Sequence, residues 1–245
     1  MSEPAALRFG HPRHHFRLVD STNECARELA AAGATAGTVV TASEQSAGRG
    51  RQGRTWTAPA GKALLCSAIL APLAAEHRLL PLAVPLAVCE AAESLGAGEC
   101  RVKWPNDVWL DGRKLAGILI EARPPDWAVM GIGLNLGIER EEFPEELRET
   151  AVSIGGGVGV EAALEAVCRG LERWAGAPDD RVLEEFRRRD ALAGRSVRWV
   201  GGGRSGDGEG LVKGVDPDGN LVVEVADGSE VALGSGEVHL KLPDR

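Results

Sequence analysis

The sequence predicts an α+β fold, and three observations carry that prediction. Helical and strand patterns mix along the chain, strand signals are densest in its middle, and after Gly194 the texture turns to short strands set among glycines. We therefore expect a larger mixed domain over residues 1–192 and a small antiparallel β domain, barrel or sheet, over 193–245.

The elements follow in order. "DSTNECARELAAAGA" reads as a helix, with Ser21 and Glu24 spaced as a capping box and Gly33 as the stop. "GTVVTAS" is a β-branched strand, and "ALLCSAIL", apolar on both faces, a buried one. "LPLAVPLAVCEAAESLG" predicts a helix entered or kinked at Pro81 and Pro85. "CRVKW" leads into the turn "PND", and "VWL", Asp111-Gly112 and "KLAGILIEA" have the form of a tight hairpin. "WAVMGIGLNLGI" is a strand whose glycines suggest close approach of a ligand or backbone. Two helices, "VEAALEAVCRGLERWAG" and "DDRVLEEFRRRDALAG", precede the five short strands of the C-terminal segment. "GGGRSGDGEG" reads as a long loop between strands.

With 44% hydrophobic residues the chain has enough material for a core, and a net charge of -8 argues against bulk attraction to nucleic acid or anionic lipid. Five scattered cysteines, with no C-x-x-C pair, read as reduced and mostly buried thiols of a cytoplasmic protein. The start "MSEPAALRFGHPRHHF" lacks the apolar segment of a signal peptide, and no apolar run is long enough to span a bilayer.

Against that acidic background stands "GRGRQGRTW", Gly48 to Trp56. Gly48, Gly50 and Gly53 fit a dinucleotide pattern, and Gly48 to Thr55 fits a phosphate loop with arginine in place of lysine. Both patterns need a helix immediately after the loop, and Pro59 and Gly61 oppose one. The chemistry of the stretch survives the failed match. Glycines let backbone amides approach an anion, arginines offer forked donors to carboxylate or phosphate, and Trp56 offers a flat ring face. The plain alternative is a solvated basic loop.

A second cluster lies in "KWPNDVWLDGRKLAGILIE", where Lys103, Trp104, Asn106, Asp107 and Lys114 surround the hairpin. Lys114 reads either as an exposed strand end or as a site cation, and Asn106-Asp107 either as a turn or as ligand contacts. Asn135 sits in an apolar strand and needs a partner if buried, from the core or from a ligand.

"DSTNE", "EQSAGRGRQGRTW", "KWPNDVWLDGRKLAGILIE" and "GIGLNLG" occur in this order, and together they closely resemble the biotin protein ligases, or biotin–[acetyl-CoA-carboxylase] ligases. The resemblance runs by motif from Phe16 to Ile138 and more loosely through "GVDPDGNLVVE" and "GEVHL". It implies a catalytic domain like that of class II aminoacyl-tRNA synthetases followed by a small SH3-like barrel. The implied activity adenylates biotin with ATP to biotinyl-5′-AMP, then passes biotin to one lysine of a biotin carboxyl carrier domain. Magnesium is expected as the counter-ion of ATP, with Asp107 as a possible metal contact.

By the same resemblance, Lys114 is the principal catalytic residue, helped by Arg49 and Arg51. Ser21, Thr22, Asn23, Gln45, Gly48, Arg49, Gly50, Arg51, Lys114 and the Gly117 amide surround biotin. Arg51, Arg54, Trp56, Lys103, Asn106, Asp107, Lys114 and Asn135 face ATP. The Gly/Arg loop is expected to act as a lid. "EREEFPEELRETAVSI" corresponds loosely to a second mobile loop over the adenylate. "DSTNE" begins at Asp20, which leaves no room for an N-terminal helix-turn-helix, so a monofunctional ligase without operator binding is expected, as monomer or homodimer. The competing readings are a lipoate-type ligase of the same fold, a non-catalytic biotin or nucleotide sensor, and a nucleic-acid module built on the arginine loop.

Overall fold

The computed structural model describes residues 8–201, 206–235 and 238–241. The first residues of the N-terminal stretch and the centre of "GGGRSGDGEG" lie outside them. Seven strands, β1 (Arg13–Val19), β2 (Val39–Gln45), β3 (Ala63–Leu70), β4 (Cys100–Lys103), β5 (Asp107–Leu110), β6 (Arg113–Arg123) and β7 (Trp127–Asn135), form one sheet. Its order is β1-β2-β3-β7-β6-β5-β4. β1 runs parallel to β2, and every other neighbouring pair is antiparallel. Strand β1 was not anticipated. Its "RHHFRLV" is exposed along most of its length, so it shows none of the alternation that betrays a half-buried strand.

Period-two alternation sorts the sheet's side chains to two faces. Leu64, Cys66, Ala68 and Leu70 of β3, with Ala128, Met130, Ile132 and Leu134 of β7, face the main core. There they meet helices α2 (Leu80–Ser94) and α3 (Val160–Trp174), which pack on one another, while α4 (Asp179–Arg189) closes the side against α2 and β4. Pro81 lies in the first turn of α2, where its missing N–H costs nothing, and the helix continues through Pro85. On the opposite face α1 (Thr22–Ala31) packs Ala26 and Ala30 against Val40, Ile69 and Val129. It covers only one end of that face. The remainder is left for the site.

The expected hairpin is present. Asp111 (φ 51°) and Gly112 (φ 75°) both adopt the left-handed conformation of a tight two-residue turn between β5 and β6. The expected capping box is not. Ser21 is the N-cap of α1 by backbone conformation, but its side chain makes no cap hydrogen bond.

The C-terminal strands β8 (Ser196–Gly201), β9 (Gly208–Val215), β10 (Leu221–Glu224), β11 (Glu230–Leu233) and β12 (Val238–Lys241) form a five-stranded antiparallel sheet in the order β11-β10-β9-β8-β12. Val197, Trp199, Val212, Leu221 and Val223 join the same continuous core as the large sheet. Fully buried Trp104 donates its indole N–H to Gly219 O (3.1 Å), tying the turn after β4 to this second sheet. Buried Arg189 binds Glu93 (2.5 Å) and Glu185 (2.6 Å), fixing α4 to α2.

Four of the five cysteines are buried, all five are free, and burial pushes the thiols of Cys100 and Cys168 up to about 12 and about 11. Thiols held neutral in this way are poor nucleophiles. Among the described residues no helix is long and apolar enough to cross a membrane.

Candidate active site

Strand register builds the floor of the site. Directly paired residues share a face, and one cross-strand row reads Lys103, Asp107, Gly117, Gly133, Leu65. The next row on that face carries Leu119, Gly131 and Ser67. Strict alternation from Gly117 would send Lys114 to the core side. A bulge prevents it: Val108 pairs with Ala116 but Trp109 pairs with Lys114, leaving Leu115 as an extra residue. Leu115 and Ala116 both enter the core, and Lys114 is turned onto the site face. Its main chain is also tied on the other side, accepting from Val152 N (2.9 Å) and donating to Thr150 O (2.6 Å).

A cavity of about 520 Å³ lies over this floor. Every residue named from the sequence for biotin or ATP lines it except Gly48, which lines an adjoining cavity that shares Arg49, Arg51 and Arg54 with it. Arg51, Arg54, Lys103 and Lys114 supply four cations against one lining carboxylate, Asp107, and a fifth lining cation, Arg49, is paired outside the cavity. An acidic chain has concentrated positive charge in one pocket. Lys114 Nζ lies 2.7 Å from Asp107 Oδ1 and 5.5 Å from the centre of the Trp56 ring, and Lys103 Nζ lies 5.0 Å from the Trp109 ring. Burial first, then Lys114, Arg54 and Arg195, outweigh Asp107 and hold the Lys103 ammonium below the ordinary lysine range. Burial and Arg54 likewise lower Arg51. Cations crowded in this way gain from any anion that enters.

The other end of the cavity is polar but uncharged. Gln45 Oε1 accepts from Thr22 N (2.7 Å) and Thr22 Oγ1 (3.1 Å). Ser67 Oγ donates to Asn23 Oδ1 (2.6 Å) and lies 2.8 Å from Thr22 Oγ1. Ser21, spared from capping, lines the same wall. Ser67 was missed in the sequence, although one hydroxyl inside the otherwise apolar "ALLCSAIL" is a readable signal.

The glycines of β7 explain themselves here. A Cβ on Gly131 would stand 2.0 Å from Asn23 Oδ1, and one on Gly133 would stand 2.3 Å from Trp56 Cε2. The close approach expected of a ligand or backbone at "WAVMGIGLNLGI" is instead that of two side chains, the Asn23 amide and the Trp56 ring. The ring also covers Gly117, where a Cβ would lie 2.9 Å from Cζ3, so it lies flat across the paired glycines of β6 and β7.

The Gly/Arg loop is a self-contained turn. Arg49 bridges Thr55, Gly50 N donates to Arg54 O (2.7 Å), and a 3-10 turn over Arg51–Gly53 puts Gln52 at φ 56°. The next regular element is strand β3, so neither nucleotide motif finds its helix. Its three arginines diverge. Arg51 donates to Asn106 Oδ1 (3.3 Å) and to Ser235 O in the turn after β11. Arg54 is exposed, and Arg49 turns to Glu24 and Glu121.

Two sequence-named amides are held by main chain. Asn106 Nδ2 donates to Ile118 O (2.9 Å), and Asn135 Nδ2 to Val152 O (3.1 Å). Phe143, Leu147, Thr150 and Ala151, from the acidic segment "EREEFPEELRETAVSI", wall the cavity that Lys114 also lines, and no sequence signal singles them out. Among the described residues no group of three His, Cys, Asp or Glu side chains is placed to hold a metal ion.

Comparison with known proteins gives a consistent set. Residues 15–136 match the biotin/lipoate A/B protein ligase family, and residues 193–241 match the biotin protein ligase C terminal domain. A biotin–[acetyl-CoA-carboxylase] ligase of Mycobacterium tuberculosis is 35% identical over 240 residues, covering 90% of this chain and 86% of the relative. The bifunctional ligase/repressor BirA of Bacillus subtilis is 34% identical over 148 residues, 58% of this chain and 46% of the relative. The match thus spans less than half the length of that relative and of its Bacillus spizizenii counterpart (44%). The biotin protein ligase from Aquifex aeolicus, solved in complex with biotin and ATP, superimposes with a TM-score of 0.77 at 26% identity, over 95% of this chain and all of that one.

Proposed function

This chain belongs to the biotin protein ligase family, and from that premise we propose that it activates the carboxylate of biotin with ATP and transfers the biotinyl group to a lysine of a biotin carboxyl carrier domain, that of acetyl-CoA carboxylase or a related carboxylase. The observation that carries the reading is the cavity's division into a neutral hydrogen-bonding end and a cationic end of Arg51, Arg54, Lys103 and Lys114, the last turned onto the site face by the bulge at Leu115.

In the first step a biotin carboxylate oxygen attacks the α-phosphorus of ATP and pyrophosphate leaves. A carboxylate is already a nucleophile, so no general base is required. The obstacle is bringing two anions together, and Lys114, Arg51 and Arg54 offset that repulsion and favour the charge developing at the α-phosphate. Asp107 holds the Lys114 ammonium at 2.7 Å, which fixes its direction. Magnesium would supply counter-charge to the triphosphate. Asp107, the one carboxylate lining the cavity among the described residues, suits an ion that keeps most of its waters.

Thr22, Asn23 and Gln45, the first two held from beneath by buried Ser67, offer partners to the ureido head of biotin, whose unpaired burial would cost about 1–3 kcal/mol per group. Trp56 presents a flat apolar surface at the floor. In the second step the acceptor lysine's neutral amine attacks the acyl carbon of the mixed anhydride. AMP leaves with the bonding pair, and the amine's proton passes to solvent. The loop over Gly48–Thr55 keeps water from the anhydride until the acceptor arrives.

The test is to incubate the protein with biotin, Mg-ATP and an apo carrier domain, and to weigh the carrier. The expected gain is one biotinyl group, abolished by Lys114→Ala with the fold intact. Lipoylation of a lipoyl domain in its place would identify the sister activity. Ligand binding without pyrophosphate release would identify a sensor.

A further inference from the structure

Arg49, carried over as a catalytic cation, has both of its charge partners inside the protein. Its Nη1 lies 3.1 Å from Glu24 Oε2 in the first turn of α1 and 3.5 Å from Glu121 Oε1 on β6. Arg27 shares the same oxygens at 3.2 and 3.3 Å, so two carboxylates and two guanidinia close a ring. Arg51 and Arg54 have no carboxylate partner among the described residues. A guanidinium already neutralised by two carboxylates has little attraction left for an anionic substrate. Its place on the loop gives it a different use. Arg49 bridges Thr55 at the stem, so whatever holds Arg49 holds the whole turn.

Glu121 does more than hold the loop. Its second oxygen accepts from Asn23 Nδ2 at 3.0 Å, and the same amide group donates to Leu119 O at 3.2 Å. That fixes the Asn23 flip and points Oδ1 at Ser67 Oγ, 2.6 Å away. Glu121 stands on a central strand and Glu24 on a helix, so both carboxylates are anchored to regular structure. One side chain therefore touches both the loop at the cationic end and the amide at the neutral end.

We infer that Glu121, with Glu24, is a positioning residue of the biotin site: the pair moors the Gly/Arg loop through Arg49, and Glu121 sets the Asn23 amide, so that loop closure and the polar end of the cavity are fixed together. The effect on catalysis rests on the biotin-ligase reading. The mooring itself does not.

The test compares full-length wild type, Glu121→Gln and the Glu24→Gln/Glu121→Gln double variant. Glutamine keeps an acceptor for Asn23 but removes the charge from Arg49. Trypsin cleavage under native conditions, mapped by mass after Arg51 and Arg54, reads the mooring without any substrate. Cleavage in the double variant is expected to rise about threefold to tenfold, as the four ion pairs of this partly exposed ring, two of them to Arg49, are lost, with Tm nearly unchanged. In biotin-dependent ATP–pyrophosphate exchange, KM for biotin is expected to rise by a similar factor while kcat stays within about twofold, a split that general loosening would not give. Unchanged cleavage overturns the mooring. Faster cleavage with an unchanged KM, or kcat and KM failing together, overturns the positioning role. If wild type shows no exchange, the ligase reading fails while the cleavage result still decides the mooring. Should the double variant fail to fold, the two single variants carry the comparison, Glu24→Gln reading the mooring alone and Glu121→Gln the mooring together with KM for biotin.

Discussion

Gly133→Ala is the sharpest probe of how this site is built. The added methyl would stand 2.3 Å from Trp56 Cε2 and 2.7 Å from its Nε1, directly beside Gly117 on the neighbouring strand. Carbon atoms in contact sit about 3.5–4.0 Å apart, so the ring must lift by roughly 1.2–1.7 Å. Its indole N–H is already buried without a partner. Overpacking of this kind costs about 1–3 kcal/mol. In a Trp56→Ala background the clash disappears, and alanine in the strand is then expected to be neutral or to stabilise by about 0.4–1 kcal/mol through the unfolded chain. Denaturant unfolding of the four proteins of this cycle is expected to give a coupling of about 1–3 kcal/mol with unchanged m values. The KM for ATP is expected to rise in each single variant. A cost for Gly133→Ala that agrees in the two backgrounds to within about 0.5 kcal/mol would refute the account of Trp56 lying on a glycine floor.

Further predictions concern the rest of the molecule. Ser67→Ala leaves Asn23 Oδ1 short of its donor in a buried place; about 1–3 kcal/mol of stability is expected to go, with KM for biotin raised more than kcat is lowered, checked by unfolding and steady-state kinetics. Glu93→Ala strips buried Arg189 of its 2.5 Å partner; a loss of about 3 kcal/mol in unfolding is expected, with activity per folded molecule unchanged. Asp190 keeps one carboxylate oxygen buried without a partner, and burial raises its pKa above 3.8. Its folded pKa is therefore above the unfolded one, so its stabilising contribution is full below about pH 3.8 and is lost as pH rises through the folded value. Asp190→Asn is accordingly expected to gain on wild type as pH climbs through that window, and parallel Tm-against-pH curves would contradict this. Trypsin is expected to cleave the Gly48–Thr55 loop more slowly once biotin and ATP are added, and equal rates with and without them would remove the lid.

The sequence by itself determined the regular elements that bury a patterned face: helices α1 to α4, strands β2 to β7, the Asp111-Gly112 turn and the short strands after Gly194. Those signals are local, a period of 3.6 or 2 interrupted by glycine or proline. Edge strand β1 escaped because exposure on both faces erases the period. The motif residues were legible because their types are unusual where they stand, three arginines among glycines and a lysine opening an apolar strand.

What no local pattern could supply was the direction of each side chain. A single extra residue, Leu115, decides whether Lys114 enters the site or the core, and only pairing with β5 shows that it is extra. Cross-strand register alone brings Ser67 of β3 beneath Asn23 of α1 and lays Trp56 on Gly133. Glu24 and Glu121, unremarkable in sequence and 97 positions apart by number, converge on Arg49 because α1 packs over β2, β3 and β7, beside β6. The chemical types in this site are local properties of the chain. Their distances are properties of the sheet, because hydrogen-bonded register fixes which residues meet.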